Sequence, residues 1–399
     1  MFRASIPPWA TALFLCLLLA LPSARAEVPA SYKELYSSME RTLDESEAQI
    51  GTNPLADWKP VFSTDLLAAN SNRGSALLQP QALPAVRLSL DRFKAMGIQS
   101  VKFALQYPML LPYFPRSGEY LEFYRQVVQE AHARGIKVMP NVTVLFANAA
   151  FNPFKGIYSD LNLEKFKREY RDMVHLVVRE LQPEYLGIIT EPDTQARLTG
   201  LRELEQPEKV AEVVRFALDG LERGKTLLGA GSGSWSPPAF AKALAEGTDV
   251  DFIAIHIYPL TPGTLDNAVQ MARIARANRK QAFIDEAWLY KAPTSGSGGG
   301  LAASADAFRR DIYAFWQPLD QKFMRLIVRL AKTEQISLVS FFWSSYFFAY
   351  LDYAPELDRL SYQEVARKHN RYVTEAMGNG TLSATGEYYR SVITGAGKK

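Results

Sequence analysis

The stretch EYLGIITEP (residues 184–192) is an apolar run that ends in a glutamate and a proline. Four of its nine residues, Tyr185, Ile188, Ile189 and Thr190, are β-branched or aromatic, as is typical of strands, and Pro192 removes the backbone donor that a continuing strand needs. The stretch therefore predicts a buried strand that stops at Glu191. Similar short apolar runs recur along the chain: WKPVFST (58–64), SVKFALQ (100–106), IKVMPNV (136–142), KTLLGAG (225–231), DFIAIHIY (251–258), QAFIDEA (281–287) and ISLVSFFW (336–343).

Longer amphipathic segments separate these strands, at residues 83–97, 119–135, 161–181 and 208–224 among others. Alternating strands and helices indicate a parallel sheet, and eight strands are the number that closes a barrel. The sequence thus predicts an α/β fold, a (β/α)8 TIM barrel that forms a single domain over residues 58–399. A doubly wound open sheet is the alternative, although no glycine-rich phosphate turn follows the first three strands. The eighth helix is either 362–377 or 385–394.

The N-terminal segment has the pattern of a secretory signal peptide. Arg3 precedes a short apolar run, and Ala24-Arg25-Ala26 is a small-x-small cleavage site. We therefore expect cleavage after Ala26 and a secreted or periplasmic protein. Cys16 is the only cysteine of the sequence and lies in this segment, so no thiol chemistry is expected. Residues 27–57 form a polar, helical extension that we expect to pack across one end of the barrel or to hang loose.

The charge balance of the remaining chain is close to neutral. Removing Arg3 and Arg25 from the 45 basic residues leaves 43, against 42 acidic residues. This balance favours neither a nucleic-acid partner nor a membrane surface. We expect a monomer.

Polar and aromatic side chains stand at the predicted strand ends. Glu191 ends the fourth strand, His256 and Tyr258 end the sixth, Glu286 ends the seventh and Trp343 ends the eighth. In such a barrel these ends gather around the active site. Because side chains alternate along a strand, Glu286 should share an inward face with Ala282 and Ile284, whereas Asp285 should point away from the barrel axis.

This arrangement resembles the clan A glycoside hydrolases, barrel enzymes whose two catalytic glutamates follow strands four and seven. The resemblance implies that Glu191 is a protonated acid/base and that Glu286 is an ionised nucleophile. It also implies a retaining cleavage of β-linked oligo- or polysaccharides without a cofactor or metal. His256 and Tyr258 are then expected to donate hydrogen bonds to Glu286.

Two positions depart from the pattern of that clan. Thr190 stands where most members have an asparagine that binds the sugar 2-hydroxyl. Gln106 and Tyr107 stand where an arginine would support the nucleophile. Further residues expected to bind the carbohydrate follow the strands: Tyr107, Asn141, Trp235, Trp288 and Trp343.

Two other functions fit parts of the pattern. The first is a catalytically inactive barrel that binds carbohydrate or scaffolds other proteins, which Thr190 and the missing arginine favour. The second is a metal-dependent hydrolase, which normally gathers several histidines at strand ends. Of the four histidines in the sequence, only His256 stands at a predicted strand end, which disfavours a metal site.

Overall fold

The structure is a computed structural model that describes residues 27–50, 55, 57–145, 158–258, 260–292 and 305–395. The predicted signal peptide, residues 1–26, lies outside the described residues. Within the described ranges, no helix is long and apolar enough to cross a membrane.

Eight parallel strands form a closed barrel, in which each strand pairs with the next along the chain and β8 pairs with β1. This closure confirms the TIM barrel and excludes the open doubly wound sheet. The strands are β1 (Val61–Asp65), β2 (Ser100–Tyr107), β3 (Lys137–Val144), β4 (Tyr185–Gly187), β5 (Leu227–Gly233), β6 (Phe252–Ile257), β7 (Gln281–Ala287) and β8 (Leu338–Phe341).

Helices surround the barrel and follow the strands in sequence. The helices are α1 (Lys33–Ile50), α2 (Ala82–Met96), α3 (Ser117–Ala133), α4 (Leu163–Leu181), α5 (Pro192–Thr199), α6 (Pro207–Leu218), α7 (Ala239–Gly247), α8 (Pro262–Ala277), α9 (Ala305–Asp311), α10 (Gln317–Thr333), α11 (Tyr362–Asn379) and α12 (Ala384–Thr394). Both candidates for the eighth helix are helical, as α11 and α12. Because α12 packs against both α10 and α2, it is the helix that closes the ring.

The N-terminal helix α1 does not hang loose but packs against α8 and α10 of the helix ring. Glu47 accepts a hydrogen bond from Arg325 of α10 at 2.7 Å. At the start of the helix, the buried Tyr32 ring contacts Phe315 and Trp316. The extension is therefore held by both ion pairs and aromatic packing.

The inside of the barrel contains its own apolar cluster: Met139, Tyr185, Phe252, Ala254, Phe283 and Leu338. Phe252 and Phe283 stack with their ring centroids 4.1 Å apart. A Cβ atom at Gly229 would stand 2.0 Å from the Phe252 ring, so β5 needs a glycine there. The assignment of Ala282 and Ile284 to the inner face is wrong. They alternate with the inward Phe283 and belong to the outer core that includes the helices.

Candidate active site

A cavity of about 160 Å³ opens at the C-terminal ends of the strands. Glu191, Glu286 and His256 line it together with Asp65 and Lys102. Residues that follow β6, β7 and β8 form what we term the aromatic wall: Tyr258, Tyr290, Phe308, Phe342 and Trp343. The polar wall lies opposite in character and consists of residues after β1, residues of β3, and residues of α5 and the turn before it: Asn70, Asn72, Asn141, Thr143, Thr190, Thr194 and Arg197.

Glu191 occupies the turn between β4 and α5. It is the residue immediately before the helix, which begins with Pro192 at its first position. Its Oε1 atom lies 2.7 Å from His256 Nδ1 and accepts a hydrogen bond from the Tyr258 hydroxyl at 3.1 Å. The side chain is 17% exposed, so the carboxyl remains open to the cavity.

A β-bulge in β7 determines where Glu286 lies. On β6, Ala254 pairs with Phe283 and His256 pairs with Glu286, so β7 contains one residue more than β6 over this interval. Such an extra residue interrupts the regular alternation of side chains. Asp285 and Glu286 can therefore both lie on the inner side of the barrel.

The expectation that Asp285 points away from the barrel axis is wrong. Its side chain is fully buried beneath the cavity, where Oδ2 accepts a hydrogen bond from Asn141 Nδ2 at 2.7 Å. The same oxygen lies 3.2 Å from His256 Nε2. The His256 ring thus bridges Asp285 and Glu191. Its expected hydrogen bond to Glu286 is not formed, because both ring nitrogens face other carboxylates.

The expected hydrogen bond from Tyr258 to Glu286 is present. The Tyr258 hydroxyl is therefore within hydrogen-bond distance of both glutamates. A hydroxyl has a single proton and can donate it to only one of them at a time. Tyr258 also stacks on Trp235, with ring centroids 5.3 Å apart, which fixes the plane of its ring.

A lysine takes the place of the missing arginine beside Glu286. Lys102 of β2 is 2% exposed, and its Nζ contacts Glu286 Oε2 and lies 3.4 Å from Asp65 Oδ2. Sequence reasoning missed both Lys102 and Asp65. The available signal was a lysine within an apolar strand, because a buried cation is rare without a carboxylate partner.

The charges of the buried groups depend on each other. Burial lowers the pKa of His256, but the charges of Asp285 and Glu286 outweigh burial and hold this pKa well above its usual value. Burial raises the pKa of Glu191, yet the hydrogen bond and charge of His256 bring it below the usual range. Both shifts favour a proton on His256 rather than on Glu191, which is opposite in direction to the expectation that Glu191 is the protonated group.

The pKa values of two other carboxyl groups around this site, Asp285 and Asp65, shift in opposite directions. Burial raises the pKa of Asp285, but His256 outweighs burial and lowers it. Burial raises the pKa of Asp65 well above its usual value, and the charge of Lys102 only partly opposes this effect. For Lys102, burial lowers the pKa, but Asp65 and Glu286 outweigh burial and raise it. Lys102 is therefore charged.

Three more of the predicted binding residues line the cavity: Thr190, Asn141 and Trp343. Thr190 and Asn141 are both 4% exposed. Trp343 packs edge-on against Phe308, with ring centroids 5.4 Å apart. These three side chains therefore face the cavity.

The other predicted binding residues do not line the cavity. Tyr107 points outward from β2, where its hydroxyl donates to Glu169 and its ring packs on Tyr158. Trp288 is buried and stacks on Tyr346. Trp235 lies behind Tyr258. The prediction that Tyr107 and Trp288 face a ligand is wrong, since both belong to the packing between the sheet and its surrounding segments.

Glu191, His256 and Glu286 also have ligand types that a metal ion accepts. One ligand atom from each lies within 4.8 Å of the others. The same atoms already have protein partners, however, because Lys102 and Tyr258 contact Glu286 and the His256 ring contacts two carboxylates. A metal would have to displace these partners.

Solved structures with the same fold include glycoside hydrolases. An exo-beta-1,4-mannosidase, Op5Man5, from Opitutaceae bacterium strain TAV5 superposes with a TM-score of 0.53 at 14% identity, over 85% of this chain and 60% of that chain. A GH5_18 variant from Streptomyces cattleya in complex with Manb1-4GlcNAc gives 0.54 at 15% identity, over 86% and 82% of the two chains. A GH5_18 protein from Bifidobacterium longum subsp. infantis gives 0.54 at 13% identity, over 84% and 78%.

The fold resemblance to clan A glycoside hydrolases is confirmed. Sequence comparison gives no such relationship, since no protein-family model and no curated protein matches the chain. The chain spans 60% of the length of the Opitutaceae mannosidase. Where the clan pattern has an arginine that supports the nucleophile, this chain places Lys102 of β2 against Glu286.

Proposed function

We propose that the protein is a retaining glycoside hydrolase that cleaves a β-linked oligo- or polysaccharide. The observation that carries this proposal is the separation of the two glutamates: carboxyl oxygens of Glu191 and Glu286 lie within 4.8 Å of each other beside an open cavity. Retaining enzymes place their two carboxyl groups roughly 5 Å apart, because one of them must reach the anomeric carbon directly. Inverting enzymes need a wider gap to hold a water molecule.

In the first step, Glu286 attacks the anomeric carbon while Glu191 protonates the departing glycosidic oxygen. Lys102 and Tyr258 contact the two oxygens of Glu286 and hold the carboxylate in place. In the second step, Glu191 removes a proton from water, and this water releases the sugar from Glu286. The configuration at the anomeric carbon is retained after two inversions.

The proton for the leaving group comes from the pair that Glu191 forms with His256. The two groups, 2.7 Å apart, hold one proton between them, which rests on the imidazole ring. A strongly interacting pair loses its proton as a unit rather than as separate residues. We infer that transfer of this proton to Glu191 precedes cleavage, and that Asp285 sets how tightly His256 holds it.

The aromatic wall fits a carbohydrate ligand. Sugars present apolar C–H faces that pack on aromatic rings, and Trp343 and Tyr290 both line the cavity. The Opitutaceae structure is a mannosidase and the Streptomyces structure contains Manb1-4GlcNAc, which makes β-linked mannosides the first substrates to test. The signal-like segment at residues 1–26 supports action in the periplasm or outside the cell, and we propose that the protein acts as a monomer.

The test is hydrolysis of a panel of 4-nitrophenyl β-glycosides and β-linked polysaccharides. Glu191→Gln and Glu286→Gln should each lose at least about a thousandfold in kcat on any substrate that the wild type cleaves. Asp91→Asn, a matched change at an exposed carboxylate that does not line the cavity, should keep wild-type activity. Equal turnover by both glutamate variants would refute the assignment. A wild type that binds oligosaccharides without cleaving them would instead establish the inactive binding barrel.

A further inference from the structure

Arg197 is a cation of the polar wall that has no acidic partner. It lies on α5 one turn after Thr194, and both residues line the cavity. Arg197 forms no hydrogen bond or ion pair with any residue in the described part of the chain. Lys102, in contrast, contacts Glu286 and lies 3.4 Å from Asp65. The positive charge of Arg197 is therefore available to a ligand.

Two asparagines of the polar wall also present unused donors. Asn70 Oδ1 accepts the backbone N–H of Asn72 at 2.9 Å, and Asn72 Oδ1 accepts from Gln106 Nε2. These contacts fix the orientation of both amides, so each Nδ2 group remains as a donor. No acceptor for either group exists among the described residues. Both asparagines line the cavity, so a ligand bound there can accept hydrogen bonds from these amide groups.

Arg197 and the two asparagine Nδ2 groups are N–H donors, and we term them the donor patch. Asn72 reaches over the end of β2 through Gln106, and α5 packs against β3, so the patch lies beside these neighbouring strands. A sugar hydroxyl both donates and accepts hydrogen bonds, whereas a carboxylate only accepts them. An arginine with amide donors therefore matches a carboxylate better than a hydroxyl.

We propose that the donor patch binds the carboxylate of a uronic acid, so that the substrate is an acidic β-linked glycan. This inference rests on the proposed glycosidase function, which it narrows to a substrate class. Arg197 would form the charged hydrogen bonds, and Asn70 and Asn72 would supply further donors to the same group. Binding energy at this patch would then position the glycan next to Glu191, which lies six residues before Arg197 in the chain.

The experiment compares oligosaccharides that differ only at C6. Mannotriose is paired with β-1,4-linked trimannuronate, and cellotriose with its 6-carboxylated form. Binding is measured by calorimetry at neutral pH on the Glu286→Gln variant, so that no hydrolysis intervenes. In at least one pair, the acidic form should bind about tenfold more tightly than the neutral form, and added salt should reduce this preference.

Arg197→Gln should abolish the preference for the acidic form. Arg202→Gln is the matched control, because Arg202 is 80% exposed, pairs with Glu205 and does not line the cavity. The proposal is overturned if neither acidic trimer binds, if the neutral forms bind as tightly, or if the preference survives in Arg197→Gln. These binding outcomes can be told apart from a failure of the proposed glycosidase function. That failure would appear as undiminished hydrolysis by Glu286→Gln.

Discussion

Replacing Asp285 with asparagine should change the pH dependence of catalysis. The amide has nearly the same shape as the carboxylate but carries no charge. It removes a negative charge 3.2 Å from His256 Nε2, and its single oxygen can accept from either His256 or Asn141. Because Asp285 helps to keep His256 protonated, the Glu191–His256 pair should lose its proton at lower pH in the variant.

The size of this change follows from the distance. Two unit charges 3.2 Å apart attract each other by about 5 kcal/mol at an effective dielectric constant of about 20. The remaining charges of Glu191 and Glu286 still favour the imidazolium, and the asparagine oxygen can still accept its hydrogen bond. We therefore expect roughly half of this value, which corresponds to about 2 pH units at 1.36 kcal/mol per unit.

The assay is kcat/KM from about pH 4 to about pH 10, with the aryl glycoside that the wild type hydrolyses fastest. The alkaline limb of the profile should move about 2 units towards lower pH in Asp285→Asn. Asp91→Asn should leave the profile unchanged, and circular dichroism at each pH reports whether the variants are folded. A folded Asp285→Asn variant whose alkaline limb stays in place, or moves to higher pH, would refute the proton-holding role of His256.

Four further substitutions test other parts of the structure. Lys102→Met leaves the buried Glu286 without its cation, so kcat should fall at least about a hundredfold and the melting temperature should drop, since breaking a buried ion pair costs about 3–5 kcal/mol. Trp343→Ala should raise KM, because Trp343 lines the cavity. Tyr107→Phe should leave KM unchanged and lower the free energy of unfolding by about 1 kcal/mol, because the hydrogen bond to Glu169 is lost. A raised KM in Tyr107→Phe would contradict the outward placement of Tyr107. Burial raises the pKa of Asp311 to about 7, so the folded state binds its proton more tightly than the unfolded state. The resulting stability is present below about pH 4 and is lost as pH rises to about 7, and thermal melts of Asp311→Asn should lack this dependence.

The residues that meet at the strand ends could be predicted from the sequence because the barrel fold could be predicted from it. Eight short apolar runs alternating with amphipathic segments are sufficient to indicate a barrel, and a barrel gathers its strand ends. Glu191, Tyr258, Glu286 and Trp343 could therefore be grouped from sequence alone, although they are far apart along the chain. In the structure all four line one cavity.

The inward direction of individual side chains was less predictable. Simple alternation predicts that Glu286 points inward together with Ile284. In the structure Glu286 does face the cavity, but the inner face of β7 contains Phe283 rather than Ile284. The bulge that brings Asp285 and Glu286 to the same side depends on the register with β6, which no local pattern in β7 encodes.

For β2 a usable signal was present in the sequence. Lys102, Ala104 and Gln106 alternate with Val101, Phe103, Leu105 and Tyr107. The polar members of the first set mark the face towards the site, and both Lys102 and Ala104 line the cavity. Tyr107 belongs to the other set, which faces the helices. The separation into a polar and an apolar face was the observation that should have excluded Tyr107 from the site.

Trapping the covalent intermediate on Glu286 tests the double-displacement mechanism directly. The protein is incubated with 2,4-dinitrophenyl 2-deoxy-2-fluoro-β-glycosides of mannose, glucose and xylose, which slow the second step more than the first. Mass spectrometry of proteolytic peptides then locates the attached sugar. We expect one fluoroglycosyl group on the peptide that contains Glu286, and none in Glu286→Gln. An adduct on another residue, or hydrolysis with inverted configuration and no adduct, would contradict it.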